Sequence, residues 1–358
     1  MKSLLILILT IIVWGMLGSC SDDSPETQIQ TAYTNADDFL ETLDFSGSVL
    51  VRDGDLDLVR KGYGFADRSA EVLNSPELIY RIGSMTKAFT AMGIVLLKRD
   101  GLITSYDQPI SDFASDFPYG DKITLRHLLT HHSGIPDYLY VIEDLAVNQG
   151  QFFSPDYIFE IVVESLSEDG LDFEPGANYS YSNSNYLMLG LLIENLSGMT
   201  YHEYLNLKIN VPLGLEKTEK GPDVMDSAPY AKGYLNGVET NPYQMQLANS
   251  SGDLVSTIDD LEKWGDALMG EEFLTVAEKE EIFAAPYDED GYYTVGFGWF
   301  TIKINGKIMY FHGGDIDGYT SLIGLLPESN SMIILLSNEE DKGEQRNLIQ
   351  ETLPKYEF

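Results

Sequence analysis

The chain has 358 residues, 44% of them hydrophobic, which is enough for a sizeable core in one large domain or two. Asp and Glu number 57 against 22 Lys and Arg, which gives a formal net charge of -35. Because such a surface repels phosphates and anionic headgroups, it excludes nucleic acid and acidic lipid surfaces as binding partners. The acidic residues are spread along the chain, which is typical of a solvated surface rather than of an acidic binding tail.

Residues 1–19 are typical of a secretory signal. Lys2 precedes an apolar run from Leu4 to Leu17, which is too short for a typical membrane span. The run ends in Leu17-Gly18-Ser19-Cys20, and small residues before a lone cysteine resemble a bacterial lipobox. That resemblance implies cleavage before Cys20 and lipid attachment to its thiol; the alternative is an ordinary signal peptide with an incidental cysteine. A single cysteine leaves no intrachain disulfide to form.

Residues 20–38 are predicted to be an acidic, flexible tether. The stretch from Ser21 to Thr27 is polar and acidic and contains a proline, a composition that does not support a packed core. Acidic residues just after a lipidated cysteine resemble the surface-export signals of some Bacteroidetes lipoproteins. We therefore expect a protein anchored in the bacterial cell envelope, on the outer membrane, facing either the periplasm or the cell surface.

The folded domain is predicted over 39–340 and begins with a β-hairpin. Phe45 to Arg52 and Leu56 to Phe65 are rich in β-forming residues, and Asp53-Gly54-Asp55 between them is a turn signal. From Thr86 onward, apolar residues recur at helical spacing until Asp100-Gly101, a helix stop.

The middle of the chain, about 102–285, is predicted to be helical with intervening loops. Signals for helices lie at Asp107-Gln108-Pro109, Thr124 to Leu129, Leu187 to Leu196 and Ile258 to Met269. The C-terminal part returns to strands, which are predicted at Val295 to Ile304, Lys307 to His312, Tyr319 to Leu326 and Ser331 to Ser337. Residues 341–358 are predicted to be a tail or a helix at Gly343 to Leu353.

This order of elements predicts an α+β fold. Two β segments, about 45–65 and 294–338, are separated by a helical block, and the chain contains no internal repeat. We expect both segments to join one antiparallel sheet with flanking helices, the helical block being an insertion between them.

The stretch that bears most directly on function is Ser84-Met85-Thr86-Lys87. In a helix, residues three apart lie on one face, so an amine would stand beside a hydroxyl that must lose its proton to become a nucleophile. A position near a helix N-terminus also favours developing negative charge. In isolation this pattern is common, and a serine near a helix start with a solvated lysine is the better explanation of it.

Two further motifs favour a catalytic interpretation of this pattern. Tyr181 and Asn183 form a Y-x-N motif in a loop, and Phe311-His312-Gly313-Gly314-Asp315 follows at the end of a predicted strand. Together with Ser84 they resemble the serine β-lactamase and penicillin-binding-protein superfamily, specifically its class C β-lactamase-like branch. Four other stretches also have counterparts in that family, so that the resemblance spans about 40–338: His127 to Ile135, Ser251 to Thr257, Gly296 to Trp299 and Ile333 to Asn338.

The resemblance implies a role for each motif residue. Ser84 is the residue that becomes acylated, and Lys87 and Tyr181 manage its proton. Asn183 holds Lys87 or the substrate, and His312 stands where the lactamases have a lysine. The backbone N–H groups of Ser84 and Asp315 form the oxyanion hole, with Gly313 and Gly314 completing the third motif.

Physical chemistry alone does not name a single base. Ionising a tyrosine at pH 7 requires about 4 kcal/mol from the site, and deprotonating a lysine requires about 4.6 kcal/mol. A lysine in the third motif would favour tyrosinate, but His312 is mostly neutral at pH 7. We therefore expect neutral Lys87 to take the proton and Tyr181 to relay it to the leaving group.

The third motif also predicts the substrate class. Gly313 has no hydroxyl, His312 is a weak cation, and Asp315 and Asp317 add negative charge, all of which disfavours an anionic β-lactam. We expect an esterase, D-aminopeptidase or DD-peptidase-like serine hydrolase for a small or short-peptide substrate, with weak β-lactamase activity. The alternative is a penicillin-binding sensor or a stalled scaffold.

Neither a cofactor nor a metal ion is expected. His127 and His131 are four residues apart, but no carboxylate partner is spaced as in H-E-x-x-H.

Overall fold

A computed structural model describes residues 36–140, 142, 151–240, 242–284, 294–304, 306–340 and 346. The sequence predictions for the signal peptide, Cys20 and residues 20–35 of the tether lie outside these residues, as does the helix predicted at 343–353 apart from Arg346. The tether prediction is wrong for 36–38, which begin a helix with Ala36 buried. Numbered along the chain, the described α-helices are α1 Ala36–Glu41, α2 Thr86–Arg99, α3 Leu125–Leu129, α4 Pro155–Glu168, α5 Asn183–Ser197, α6 Tyr201–Leu205, α7 Val211–Leu213, α8 Ile258–Met269 and α9 Val276–Phe283.

The fold is built on an antiparallel sheet of seven strands. Numbered along the chain, all the described strands are β1 Gly47–Asp53, β2 Leu56–Tyr63, β3 Phe65–Asp67, β4 Val72–Leu73, β5 Tyr80–Arg81, β6 Glu219–Lys220, β7 Tyr234–Leu235, β8 Val238–Glu239, β9 Leu254–Ser256, β10 Thr294–Val295, β11 Phe300–Ile304, β12 Lys307–Ile316, β13 Tyr319–Leu326 and β14 Ser331–Ser337. The strand order in the large sheet is β10-β11-β12-β13-β14-β1-β2. β5, β9 and β6 form a smaller three-stranded sheet.

The two ends of the domain meet in the middle of the large sheet. β1 pairs with β14 from Gly47 opposite Ser337 to Arg52 opposite Met332. β13 and β14 are buried along their whole length because layers cover both faces of the sheet. On one face α1 packs through Phe39 and Leu40, and on the other the core is shared with the helical region. The predicted fold, a sheet assembled from distant segments, is confirmed.

Helix α2 is the central helix of the large core. Every residue from Thr86 to Leu97 is buried, and the Phe89 ring stacks on Trp264 of α8 with ring centroids 4.5 Å apart. Both helices match their predicted bounds. Thr257 caps α8 by accepting a hydrogen bond from the Asp260 N–H.

The predicted strand at Val295 to Ile304 is wrong in one respect, since it is interrupted. Gly296 to Trp299 leaves the sheet between β10 and β11 and packs against α2 and the end of α9. Gly298 has a φ of +73°, and a Cβ there would lie 2.8 Å from the Lys87 carbonyl oxygen. The close approach to the backbone of α2 therefore requires glycine at this position.

Two further predictions need correction. The signal at Asp107-Gln108-Pro109 leads only to a single 3-10 turn at Ile110–Asp112, because Pro109 is extended and forms an isolated bridge with Thr124. The third motif lies inside β12, which runs to Ile316, and not at the end of a strand. Among the described residues, no helix combines the length and the apolar character needed to cross a membrane.

Candidate active site

Ser84 lies in a 3-10 turn, Gly83–Met85, that runs directly into α2. Strand β12 packs closely against this turn. Gly83 has a φ of +50°, and a Cβ on it would lie 3.1 Å from the backbone nitrogen of Asp315. A Cβ on Gly314 would collide with the Ile82 carbonyl oxygen. The two glycines thus allow the turn carrying Ser84 to lie against the third motif.

The Lys87 amine is the buried centre of the site. The side chain is 0% exposed, and Nζ lies 3.1 Å from Ser84 Oγ, 2.7 Å from Asn183 Oδ1 and 2.7 Å from the Ser251 carbonyl oxygen. Burial lowers the pKa of Lys87 to about 7, although the Asp137 carboxylate acts to raise it. A substantial fraction of the amine is therefore neutral at pH 7.

The three partners give a neutral amine a defined orientation. The Asn183 and Ser251 oxygens can only accept hydrogen bonds, so they take the two N–H groups. The lone pair is then left for Ser84 Oγ, the hydroxyl that must lose its proton.

Tyr181 lies over the same amine, with Lys87 Nζ 4.8 Å from the centre of its ring. Burial raises the pKa of Tyr181 above its ordinary value, and a hydrogen bond with Ser84 opposes that effect. The His131 ring stacks on the tyrosine, with centroids 4.3 Å apart. Because its pKa is raised, the Tyr181 phenol is protonated at neutral pH and can donate a proton.

His312 is buried and neutral. Burial, together with the Lys87 charge, lowers its pKa to about 3. Its Nδ1 lies 2.6 Å from the Gly313 carbonyl oxygen, which can only accept, so Nδ1 carries the proton and Nε2 is an acceptor. At this position a neutral acceptor replaces the cation of a lysine.

The expected negative charge at the third motif is largely compensated, which corrects the prediction from sequence. Arg346 donates to Asp315 with Nη1 2.6 Å from Oδ2, and the buried guanidinium of Arg81 lies 4.0 Å from Asp317 Oδ2. Both arginines are far from their partners in the sequence, so no spacing pattern could have indicated these pairs.

Sequence reasoning also missed three residues that surround the motif side chains. The Ser251 carbonyl belongs to a stretch noted only for its family likeness, and Asp137 and His131 had no assigned role. His131 has a φ of +59°, and its Nδ1 accepts from the Ser182 N–H, 3.1 Å away. Gly134 and Pro136 were the local signals for a turn here.

The structure gives His127 and His131 separate surroundings. His127 Nδ1 accepts from the Thr124 N–H in the capping box of α3, whereas His131 contacts Ser182 and Tyr181. No three His, Cys, Asp or Glu side chains gather as metal ligands in the part of the chain that the structure describes.

A serine at a helix start, a buried amine against it and a large antiparallel sheet alongside define the serine-hydrolase fold class that carries an S-x-x-K motif. A family model described as Beta-lactamase matches residues 36–352, and the chain belongs to this family. Penicillin-binding protein 4* of Bacillus subtilis (strain 168) is 29% identical over an alignment of 334 positions, which covers 85% of this chain and 70% of that protein.

Two solved structures have the same fold. The octameric penicillin-binding protein homologue from Pyrococcus abyssi superposes with a TM-score of 0.73 at 27% identity, covering 86% of this chain and 74% of that one. D-amino acid amidase from Ochrobactrum anthropi SV3 superposes with a TM-score of 0.71 at 25% identity, covering 85% of this chain and 93% of that one. The relatives thus include both penicillin-binding proteins and a hydrolase.

Proposed function

We propose that this protein hydrolyses a neutral or amine-bearing ester or amide through an acyl-enzyme on Ser84. The observation that carries the proposal is the buried Lys87 amine, 3.1 Å from Ser84 Oγ, with a pKa of about 7. An amine in this state can accept the serine proton without the cost of deprotonating an ordinary lysine.

Acylation proceeds in two parts. Ser84 Oγ attacks the carbonyl carbon as its proton passes to Lys87 Nζ, and the N–H groups of Ser84 and Asp315 stabilise the oxyanion. The bond to the leaving group then breaks as Tyr181 donates its phenolic proton to that group, and Lys87 returns a proton to Tyr181. Water hydrolyses the ester on Ser84 in the second half of the reaction.

Strand β12 supports the proposed oxyanion hole. Its pairing with β11 ends at Phe311 opposite Phe300, whereas its pairing with β13 continues to Ile316. The edge of β12 that carries Asp315 therefore has no strand partner from β11 beside the Ser84 turn. A carbonyl oxygen can enter between the two without displacing a ladder hydrogen bond on that side.

The third motif disfavours a substrate that carries a carboxylate. His312 is neutral, Gly313 has no hydroxyl, and the nearest guanidinium, that of Arg346, is already paired with Asp315. A carboxylate on the substrate would have to displace Asp315 to gain a cation. D-amino-acid amides and simple esters are therefore the first substrates to test.

The test is a substrate panel with mass spectrometry of Ser84. The protein is incubated with p-nitrophenyl esters, D-amino-acid amides and β-lactams, and separately with a fluorophosphonate, with Ser84→Ala as the control. We expect ester or amide turnover and a Ser84 fluorophosphonate adduct, with slow or absent cephalosporin hydrolysis. Efficient cephalosporin turnover would contradict the substrate class.

The same experiment distinguishes the alternatives. A lasting penicillin adduct on Ser84 without turnover would identify a penicillin-binding sensor, to which the name of the Bacillus subtilis relative lends weight. Absence of any adduct from the Ser84 peptide would identify a scaffold that has kept the fold.

We also propose that Cys20 is lipidated and anchors the protein in the bacterial cell envelope. The lipobox-like Leu17-Gly18-Ser19-Cys20 supports this. Metabolic labelling with an alkynyl fatty acid should mark the wild-type protein and not Cys20→Ala. Equal labelling of the two would contradict the proposal, and protease treatment of intact cells separates the periplasmic face from the cell surface.

A further inference from the structure

Asp137 lies in the loop after α3 and contacts the start of α5. Its Oδ2 accepts hydrogen bonds from Asn183 at both N (3.1 Å) and Nδ2 (2.7 Å), and its Oδ1 accepts from the Leu139 N–H at 3.0 Å. All three bonds use the carboxylate as an acceptor. None of the motifs recognised in the sequence includes this residue.

The residues before and after Asp137 are both hydrogen-bonded to α5. Ser184 Oγ donates to the Pro136 carbonyl oxygen at 2.6 Å and accepts from the Tyr138 N–H at 3.0 Å. Ser182, the N-cap residue of α5, makes no side-chain capping bond, so Asp137 supplies the cap from another segment of the chain. The carboxylate is therefore held at a defined point.

Asp137 decides which way the Asn183 amide faces. An ionised carboxylate only accepts, so the Asn183 NH₂ group must point to Asp137 and Oδ1 must point to Lys87. The reversed amide would set its NH₂ against the Lys87 N–H groups and its oxygen against the carboxylate. The observed direction is thus the one that satisfies both contacts.

We infer that Asp137 is a positioning residue for the proposed reaction: it fixes the Asn183 amide and, through it, the direction of the Lys87 lone pair toward Ser84. The inference rests on the proposed role of Lys87 as the base. With Asn183 Oδ1 held as an acceptor, one Lys87 N–H is committed to it and the other to the Ser251 carbonyl oxygen.

Asp137 also acts on Lys87 through its charge. Burial lowers the pKa of Lys87, and Asp137 is the carboxylate that raises it. The other titratable groups around the amine are Tyr181, Tyr186, His131 and His312, and each is neutral at pH 7 because burial raises the pKa of the two phenols and lowers that of the two imidazoles. Removing the Asp137 charge therefore lowers the Lys87 pKa further.

The test compares the wild type with Asp137→Asn, using the pH dependence of kcat/KM for a p-nitrophenyl ester. We expect kcat/KM to fall ~10- to 100-fold, because the amine loses its orientation. We also expect the acidic limb of the profile to move to lower pH by about one unit, because the base loses its carboxylate neighbour. A residue that only capped α5 would lower activity without moving the limb.

Two further variants test how the effect is transmitted. Asn183→Ala is measured alone and combined with Asp137→Asn. The loss of kcat/KM in the double variant should be much smaller than the product of the two single losses, since both substitutions act through one amide. Asp260→Asn is the matched control. This buried carboxylate accepts from Glu216, Lys217 and Thr218 and is not among the charges that shift the Lys87 pKa, so its loss should lower stability without moving the limb.

A measurement that needs no turnover separates this inference from the proposed function. In Ser84→Ala, the Lys87 pKa can be followed by NMR of the labelled side chain, with and without Asp137→Asn. A lower pKa in the double variant supports the inference even if no substrate is turned over. An unchanged Lys87 pKa, an unmoved acidic limb or fully multiplicative losses with Asn183→Ala would overturn it.

Discussion

Arg346 pairs with Asp315 beside the third motif, its Nη1 2.6 Å from the Asp315 Oδ2. Its guanidinium lies against Gly313, where a Cβ would come within 3.2 Å of it. A glycine at this position therefore gives the arginine room to reach Asp315. Burial and the charge of Lys87 are the larger causes of the low pKa of His312, and the charge of Arg346 lowers that pKa further.

The Arg346–Asp315 pair should determine whether the site prefers a neutral substrate to one that carries a carboxylate. In Asp315→Asn the guanidinium loses its carboxylate, so kcat/KM for a substrate bearing a carboxylate should rise ~5- to 10-fold relative to its neutral methyl ester. The measurement is the ratio of the two kcat/KM values, which removes any general loss of activity. Adding Arg346→Ala should abolish the gain, and a gain that persists without Arg346 would contradict the explanation.

The pKa of Lys87 predicts a pH dependence of acylation. The base must be neutral, so the rate of fluorophosphonate labelling should rise with pH and reach half its plateau near pH 7. His312, with a pKa of about 3, should add no second step between pH 5 and 8. Lys87→Met should label ~10²- to 10⁴-fold more slowly. Labelling of Lys87→Met at the wild-type rate would rule out Lys87 as the base.

The same residue should limit stability at low pH. In the folded protein the pKa of Lys87 is about 7, below its ordinary value of 10.5, so folding releases its proton between these values. The free energy of unfolding contributed by Lys87 therefore rises with pH from about 7 toward 10.5, and charged Lys87 is least favourable below pH 7. Lys87→Met should raise Tm relative to the wild type at pH 6, and by less at pH 9. A difference in Tm that does not change with pH would contradict this.

Close packing of β12 on the nucleophile turn predicts the effect of a single methyl group. Gly314→Ala would bring a Cβ against the Ile82 carbonyl oxygen and within 2.6 Å of Ser321 Oγ, displacing the turn that carries Ser84. We expect labelling of Ser84 to fall ~10²-fold, together with a lower Tm. Gly54→Ala is the control, since that glycine lies in the β1–β2 turn with open space around it. An alanine there should cost only about 1 kcal/mol of backbone strain.

Asn338 should matter for stability rather than for chemistry. Its buried side chain accepts from Ser46 Oγ at 2.8 Å and donates to the carbonyl oxygens of Phe65 (3.0 Å) and Lys232 (2.8 Å). Asn338→Ala removes these three hydrogen bonds from a buried network and should cost about 3 kcal/mol of unfolding free energy. Chemical denaturation measures this, with exposed Asn195→Ala as the control. A loss below that of the control would show that the network does not stabilise the fold.

Local patterns were sufficient for several elements. The helix spacing after Thr86 ends where Asp100-Gly101 predicts, and Tyr319 to Leu326 and Ser331 to Ser337 match β13 and β14. The predictions of these elements are correct because their caps, turns and apolar positions lie within the element itself. The continuous strand predicted at Val295 to Ile304 fails for the opposite reason, since Gly298 contacts the backbone of a helix far away in the sequence.

The sequence by itself determined which residues could carry the chemistry: Ser84, Lys87, Tyr181, Asn183 and His312 belong to motifs whose residue types are visible in the chain. The tertiary structure alone decided their physical state. The pKa of Lys87 depends on burial, on the Ser251 carbonyl and on Asp137, and the charge of the third motif depends on Arg346. Burial and the direction of a carbonyl or an amide arise from contacts between distant segments, and no local pattern of residue types encodes them.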